Sequence, residues 1–590
     1  MDKTSRRERS GWWRSGAAEP QTTPEPEPTA DDPGPEEPGP DEPAPSPDTG
    51  EEPSTPDAVP DAATVAPAEH VLGGPGIDTT GAVVSTAAVK AWFAALPDGA
   101  TAVVRGGDVV ALDGTLRLAR RIDIRGGGEL RFVAGLAADS AIKLIVDGSS
   151  VRDVRVTYSG PIDGGAAERN VGIDIHADDV VVDGVTVDGF QNGIVVRPFG
   201  EYQGTIVTNC HVLNIRGAGG GSGSDSKAGE DRGDGIAVWG ARATVVGNVV
   251  SAAAGTDARI GIHAESLGDF AVDPGSWLDS MITISGNVVS GPFRRGITLE
   301  GVGHAVVSAN TVSDATWWGI SLNDTGPTSV VGNAVRWTRT ADQTPGSVWN
   351  PLRCPIMLYR GAQSSLVTAN VIEILGVASA AIVLQPATLP SDKTKLVGAT
   401  DAIISDNIVR IAGGSCSTGV AVDRAVRATV SGNQIAVSLA TGPVGGVISY
   451  LAVDAVVSGN SIVGAASSNG YGVLHQGDGS IVVMGNRIDR IRVAVAVNNC
   501  TGGATIVGNT GRDCEYGLDT FGTTGPSVVQ GNRWESNNTA HANAQPNTSY
   551  LSTRHMGLAR PYGGRSGDIL VGNGLLWVND QGTWRWTALK

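Results

Sequence analysis

One pattern constrains this chain more than any other: a short apolar-x-Gly/Ala-Asn motif that returns at regular intervals. It stands at Val245–Asn248, Ile284–Asn287, Val307–Asn310, Val330–Asn333 and Val367–Asn370. It continues, with small variations, at Asn407, Asn433, Asn460, Asn486, Asn509 and Asn532. Successive Asn spacings are 39, 23, 23, 37, 37, 26, 27, 26, 23 and 23, a base period of 23 with insertions in some copies. A second motif, Gly-Ile/Val/Leu followed by alternating apolar positions, runs in step at Gly172, Gly193, Gly235, Gly261, Gly296, Gly319, Gly419, Gly446, Gly472 and Gly517. Alternation of period 2 without a period of 3.6 gives short β segments, and two of them locked in phase within one period describe a coil of a solenoid. The reading is all-β: a right-handed parallel β-helix of about thirteen coils, stacked about 4.8 Å apart into a rod of roughly 60 Å. The recurrent Asn is assigned to structure, because it tolerates a left-handed turn and stacked amides bond to the coils above and below.

Composition agrees. The chain has 82 Gly in 590 residues, too many for helices, where each costs about 1 kcal/mol relative to Ala. No three-residue Gly period suggests collagen, and no run of 18 apolar residues spans a membrane. The net charge of −18 is concentrated. Residues 15–70 hold fifteen acids and no base, interleaved with Pro, whereas residues 1–14 hold five bases and two acids. Residues 1–70 are therefore expected to be a disordered Pro/acid-rich tether, with Trp12 and Trp13 in a candidate anchor peptide. The rest is close to neutral, which argues against nucleic acid as a partner. Ser5-Arg6-Arg7 lacks the apolar stretch of an export signal. Five scattered cysteines, Cys210, Cys354, Cys416, Cys500 and Cys514, read as buried reduced thiols.

Thr80-Gly81, Thr86-Ala-Ala-Val-Lys-Ala-Trp92, Gly99-Ala-Thr101 and Arg125-Gly-Gly-Gly128, together with the coils, resemble the pectate-lyase-like right-handed parallel β-helix superfamily, of the kind found in bacteriophage tail spikes and tail fibres. Thr80 stands where the family has its first acid, and Val84-Ser85 where it has an Asp pair, so the resemblance carries the fold rather than one activity. It implies an N-terminal cap with a helix and first strands over 71–130, coils over 131–545, and a small β tip over 546–590. That tip would be built from strands at 567–571, 575–578 and 583–586.

Alternation after each motif Gly sends positions one and three inward, and positions two and four outward. The fourth positions then stack as His176, Arg197, Trp239, Glu265, Glu300, Asn323, Tyr359, Gln385, Asp423, Tyr450, Gln476, Val497 and Phe521, with His263 and Thr298 beside the middle of the column. Glu265 and Glu300 fall on neighbouring coils, about 5 Å apart. Two carboxylates that close should push one pKa upward, giving an acid beside a nucleophile or base, at the separation that retaining glycoside hydrolysis uses. Six of the 13 Trp (239, 277, 317, 318, 337 and 349) cluster in this region and offer apolar platforms for sugar rings. Inserted segments 217–235, 267–279 and 336–353 lie here too. The expected catalytic residues are Glu265 and Glu300, with Asp234, beside Asp231, in reserve. The expected substrate-binding residues are Arg197, Trp239, His263, Trp318, Asn323 and Tyr359. No P-loop, zinc spacing or calcium trio is found, so neither cofactor nor metal is expected.

The function these features suggest is a virion tail spike or tail fibre, made in the host cytoplasm, that binds a host-surface polysaccharide, with its depolymerisation as the accompanying expectation. Alternatives are a bacterial polysaccharide lyase, glycoside hydrolase or epimerase, and a non-enzymatic structural or adhesive β-helix. A parallel homotrimer is expected, with Val497 and Phe521 facing a partner, and a larger tail assembly engaged through the N-terminus.

Overall fold

The computed structural model describes residues 68–590 except 135, 137–138, 163–169, 198–201, 218–232, 241, 267–279, 340–352, 389–393, 417, 439–443, 536–538, 543–547, 552, 556–568, 573–574, 581–582 and 589–590. The expected tether, its anchor and most of the three inserted segments, with Asp231, Trp277 and Trp349, lie outside the described residues.

The chain is a right-handed parallel β-helix. Each coil contributes short strands to three parallel stacks. One stack runs through Thr244–Val246, Thr283–Ser285 and Ala305–Ser308. A second runs through Val249–Asp257, Val288–Ser290 and Thr311–Ser313. The third runs through Asp234–Val238, Ile260–Glu265, Arg295–Glu300, Trp318–Asn323 and Cys354–Tyr359. Long strands Ser461–Gln476 and Arg487–Asn498 run from the second stack into the third. The one helix among the described residues, Thr86–Ala95, buries Val89 and Phe93 near the start of the rod. No helix among the described residues is long and apolar enough to cross a membrane. At the other end, Ile569–Gly572, Leu575–Asp580 and Thr583–Ala588 pair antiparallel.

The interior is a continuous column of Val, Ile and Leu. The Asn motif marks one corner. Asn248, Asn287, Asn310 and their successors are fully buried, and each Nδ2 donates to the next Oδ1 at 2.9–3.0 Å. Each backbone N–H joins the same oxygen, as from Asn248 to Asn287 at 2.9 Å. The left-handed residue is the one before the Asn, not the Asn itself: Gly286 has φ 65° and Ala309 φ 54°. That is why Gly precedes most of the Asn residues. The motif Gly answers a different need, close approach. A Cβ on Gly296 would sit 2.4 Å from Val312 Cγ1 and 2.5 Å from the Gly319 carbonyl oxygen.

All five cysteines are buried and free. The outward column follows the expected order as far as Gln476, and then shifts by one. Gln476 pairs with Asn498, and Ala494 takes the Gly place rather than Val493. Val497 is therefore fully buried in the core, whereas Phe521 is 56% exposed. The Val-Ala-Val-Ala-Val run fits either phase by alternation, and the rod interior takes the larger side chains.

Candidate functional site

The third stack positions the predicted residues through its register. Glu265 and Glu300 are Cα partners on adjacent coils, followed by Asn323 and Tyr359. Position two of the same strands brings in His263, fully buried between Ala237 and Thr298. The residue before each motif Gly also faces outward, and it adds Asp234 and Arg295.

These side chains form one charged network. Asp234 is buried and forked by Arg259, with Nε to Oδ1 at 2.8 Å and Nη2 to Oδ2 at 2.6 Å. His263 Nδ1 faces the same Oδ2 at 3.1 Å. Across the ring, Nε2 lies 3.5 Å from Glu265 Oε2 and 3.8 Å from Glu300 Oε2, beyond hydrogen-bond length but within ion-pair range. Arg295 Nη1 reaches Glu300 Oε1 at 2.5 Å, and Asn323 Nδ2 donates to that oxygen at 2.8 Å. Trp239 stands edge-on to His263, with centroids 6.4 Å apart. Trp318 stacks at a tilt on Tyr359, 5.5 Å away, and Arg295 lies over both Trp317 and Trp318, at 5.0 and 4.7 Å.

Charge follows from these neighbours. Burial alone would raise Asp234, but Arg259 and then His263 outweigh it and bring its pKa down to about 2. Burial would lower His263, but carboxylates on both sides raise it to about 9. Arg259 Nη2 also stands 2.9 Å from Nδ1 and opposes the proton, but the carboxylates at the two nitrogens outweigh it and favour the imidazolium at neutral pH. Glu300 does not rise as the close carboxylate pair suggested. Although burial works against its charge, Arg295, His263 and Arg259 hold it well below the usual carboxylate range. Repulsion between the two glutamates is answered by cations inserted around them.

The structure thus brings together Asp234, Trp239, His263, Glu265, Glu300 and Asn323, with Trp318 and Tyr359 alongside. Arg197 is not among them, being forked on Asp174 two coils earlier. The tryptophans differ from the expectation of open platforms. Trp239 and Trp318 are only 4% and 2% exposed. Trp337 is a core residue whose Nε1 donates to the Val377 carbonyl. Half-buried Trp317 is the ring in this group that retains an open surface. Sequence reasoning missed Arg259 and Arg295. Strict alternation run back past the motif Gly assigns Arg295 to the interior; the Gly, whose Cβ position faces the core side chain of Val312, interrupts the alternation and turns Arg295 outward.

Donor atoms of His263, Glu265 and Glu300 lie within 4.8 Å of one another, a set able to hold a divalent cation. Arg295 on Glu300, and Arg259 Nη2 at 2.9 Å from the imidazole, already bring the positive charge such an ion would supply. An open groove of about 470 Å³ lined by Arg131, Tyr158, Asp188 and Arg216 contains none of the predicted site residues.

No protein-family model and no curated protein matches the chain. Among solved structures it is similar to the Dettilon tailspike protein, at 13% identity over 80% of this chain and 68% of that one, with a TM-score of 0.32. It is similar to DFA-IIIase from Arthrobacter chlorophenolicus in complex with GF2, at 16% identity over 61% and 93%, TM-score 0.39. It is also similar to the A-module of a mannuronan C-5 epimerase from Azotobacter vinelandii, at 14% identity over 71% and 95%, TM-score 0.34.

Proposed function

We propose that this protein binds and cleaves a polysaccharide, with Glu265 and Glu300 as the cleaving pair, and that it serves as a tail spike of a bacteriophage. The observation that carries the reading is the pair itself: two partly exposed carboxylates on adjacent coils, one fixed as an anion, beside an imidazolium. Glu300, held by Arg295 and Asn323, is the nucleophile or base. The proton for the leaving sugar oxygen comes from the Glu265–His263 couple, whose Oε2 and Nε2 are 3.5 Å apart. Attack by Glu300 on the anomeric carbon, with protonation of the glycosidic oxygen, releases the first sugar. Water, deprotonated by the same couple, then frees the second. Asp234 holds the imidazole ring from behind.

Replacing Glu300 or Glu265 by Gln keeps shape and removes charge or proton. Release of reducing ends from the cognate glycan should fall by roughly 10²–10⁴, while the glycan is still retained. Wild-type turnover by both variants would remove Glu265 and Glu300 from the chemistry and place the cleaving groups elsewhere, with Asp234 the next to be tested.

Assembly is the finer part of this reading. The outward positions of the first stack, from Ile206 through Val528, carry only Ser, Thr, Val, Ile, Leu, Met and Gln, with Ile206, Val306, Ile403, Met484 and Val528 exposed. An uncharged strip of that length supports burial against copies of the same chain. Sedimentation should give three times the 60.2 kDa of one chain. A mass of one chain at micromolar concentration would sink the trimer.

A further inference from the structure

Two to four coils before the glutamate pair, the third stack carries a second charged cluster. Asp174 is fully buried at its base. Arg197 forks it, with Nε to Oδ1 at 2.8 Å and Nη2 to Oδ2 at 2.9 Å, and Ser140 Oγ donates to Oδ2 at 2.7 Å. One bidentate guanidinium and a hydroxyl are enough to neutralise and hydrogen-bond a buried carboxylate. Yet Lys143 Nζ stands 3.6 Å away and His176 Nε2 3.1 Å away, both from that same Oδ2. Two permanent cations over one anion leave a surplus of +1, before the imidazole is counted.

The acid has no exposed surface, whereas the Arg197, Lys143 and His176 side chains are 17, 25 and 22% exposed. The buried carboxylate fixes the bases in place, and each base keeps part of its side chain at the surface. Lys143 and Asp174 are Cα partners, and Arg197 leads through Trp239 to Glu265 along one column. Arg197 and Glu265 are thus two coil steps apart, about 10 Å along the rod.

We infer that Lys143, His176 and Arg197 form a subsite for an anionic substituent, a carboxylate or a sulfate, on the polysaccharide cut at Glu265 and Glu300. The substrate is then an acidic glycan, lying along the stack with one charged sugar seated here. This rests on the polysaccharide reading above and adds the substrate class to it.

The test is an array of matched neutral, uronate-bearing and sulfated oligosaccharides probed with the full chain. Titration of the best ligand with wild type, K143Q and H176Q follows. Retention of acidic over neutral oligosaccharides is expected, with affinity falling about tenfold in K143Q, the loss of one charged hydrogen bond, and falling further with salt. Whether the uronate or the sulfate arm is retained identifies the group. Asp174 keeps its Arg197 fork in both variants, and melting curves check that each is folded. H176Q serves if K143Q is not. Equal retention of neutral ligands, or acidic-ligand affinity unchanged in both folded variants, overturns the subsite while leaving the polysaccharide reading intact. Retention of no glycan overturns both.

Discussion

His263 and His475 lie in the same stack of the same rod, and neither has exposed surface. His263 occupies an outward position, with Asp234 at one nitrogen and Glu265 and Glu300 at the other. His475 occupies an inward position in register with Ser449 and Val497. There Ser449 Oγ lies 3.1 Å from Nδ1, and Nε2 lies 3.3 Å from the Gly479 carbonyl oxygen it faces. Those partners suit a neutral ring with one donor and one acceptor, and burial moves its pKa down. Two rings with the same solvent exposure thus take opposite charge states. Burial sets how strongly a neighbour is felt, and the neighbour sets the sign.

The comparison predicts opposite pH dependences. His263 gains a proton affinity on folding, from an ordinary 6.5 to about 9. The stability it contributes is fully present below pH 6.5 and is lost as pH rises through about 9. Denaturant unfolding of wild type against H263Q should show a gap that narrows by about 3 kcal/mol between pH 6 and pH 10. A gap that stays constant would mean the ring is neutral in the fold, and the charge assignment around the glutamates would fall with it. His475 is shifted the other way, so the wild type should weaken as pH drops below 6.5, where the unfolded chain takes up a proton the core refuses. In H475L that acid-side slope should vanish, and at neutral pH the variant should lose only about 1–2 kcal/mol, for the Ser449 hydroxyl left without a partner. Smallest in energy, and sharpest as a discriminator, is the imidazole NMR titration. One ring should stay protonated beyond pH 8, and the other should titrate below the ordinary 6.5 of an imidazole.

The coils were legible because their two markers obey different physical demands. A left-handed turn before each Asn and a backbone too close for any Cβ both leave Gly in the sequence at fixed phase. The glutamate pair was legible for the same reason, since register carries outward positions from coil to coil. What alternation could not reveal was cover. Trp239, Trp318 and His263 point outward and are still buried, because exposure depends on what packs over a strip, and no periodicity encodes that. Nor did it show the cations: Arg259 lies outside the strand's alternation, and its importance appears only when it forks Asp234. Val497 failed because Ala and Val alternate there with nothing to mark the phase.

The Asn corner has a consequence for how such a chain can change. The amide bond from Asn287 to Asn310 spans 23 residues, and that from Asn333 to Asn370 spans 37, yet both are closed at 2.9 Å. The corner registers only that a coil has ended, not how much chain was spent on it. Segments of any length can therefore be gained, lost or exchanged beside the third stack without disturbing the strands on either side. Natural variation is free to rewrite what the strip recognises while the spine that holds it stays untouched.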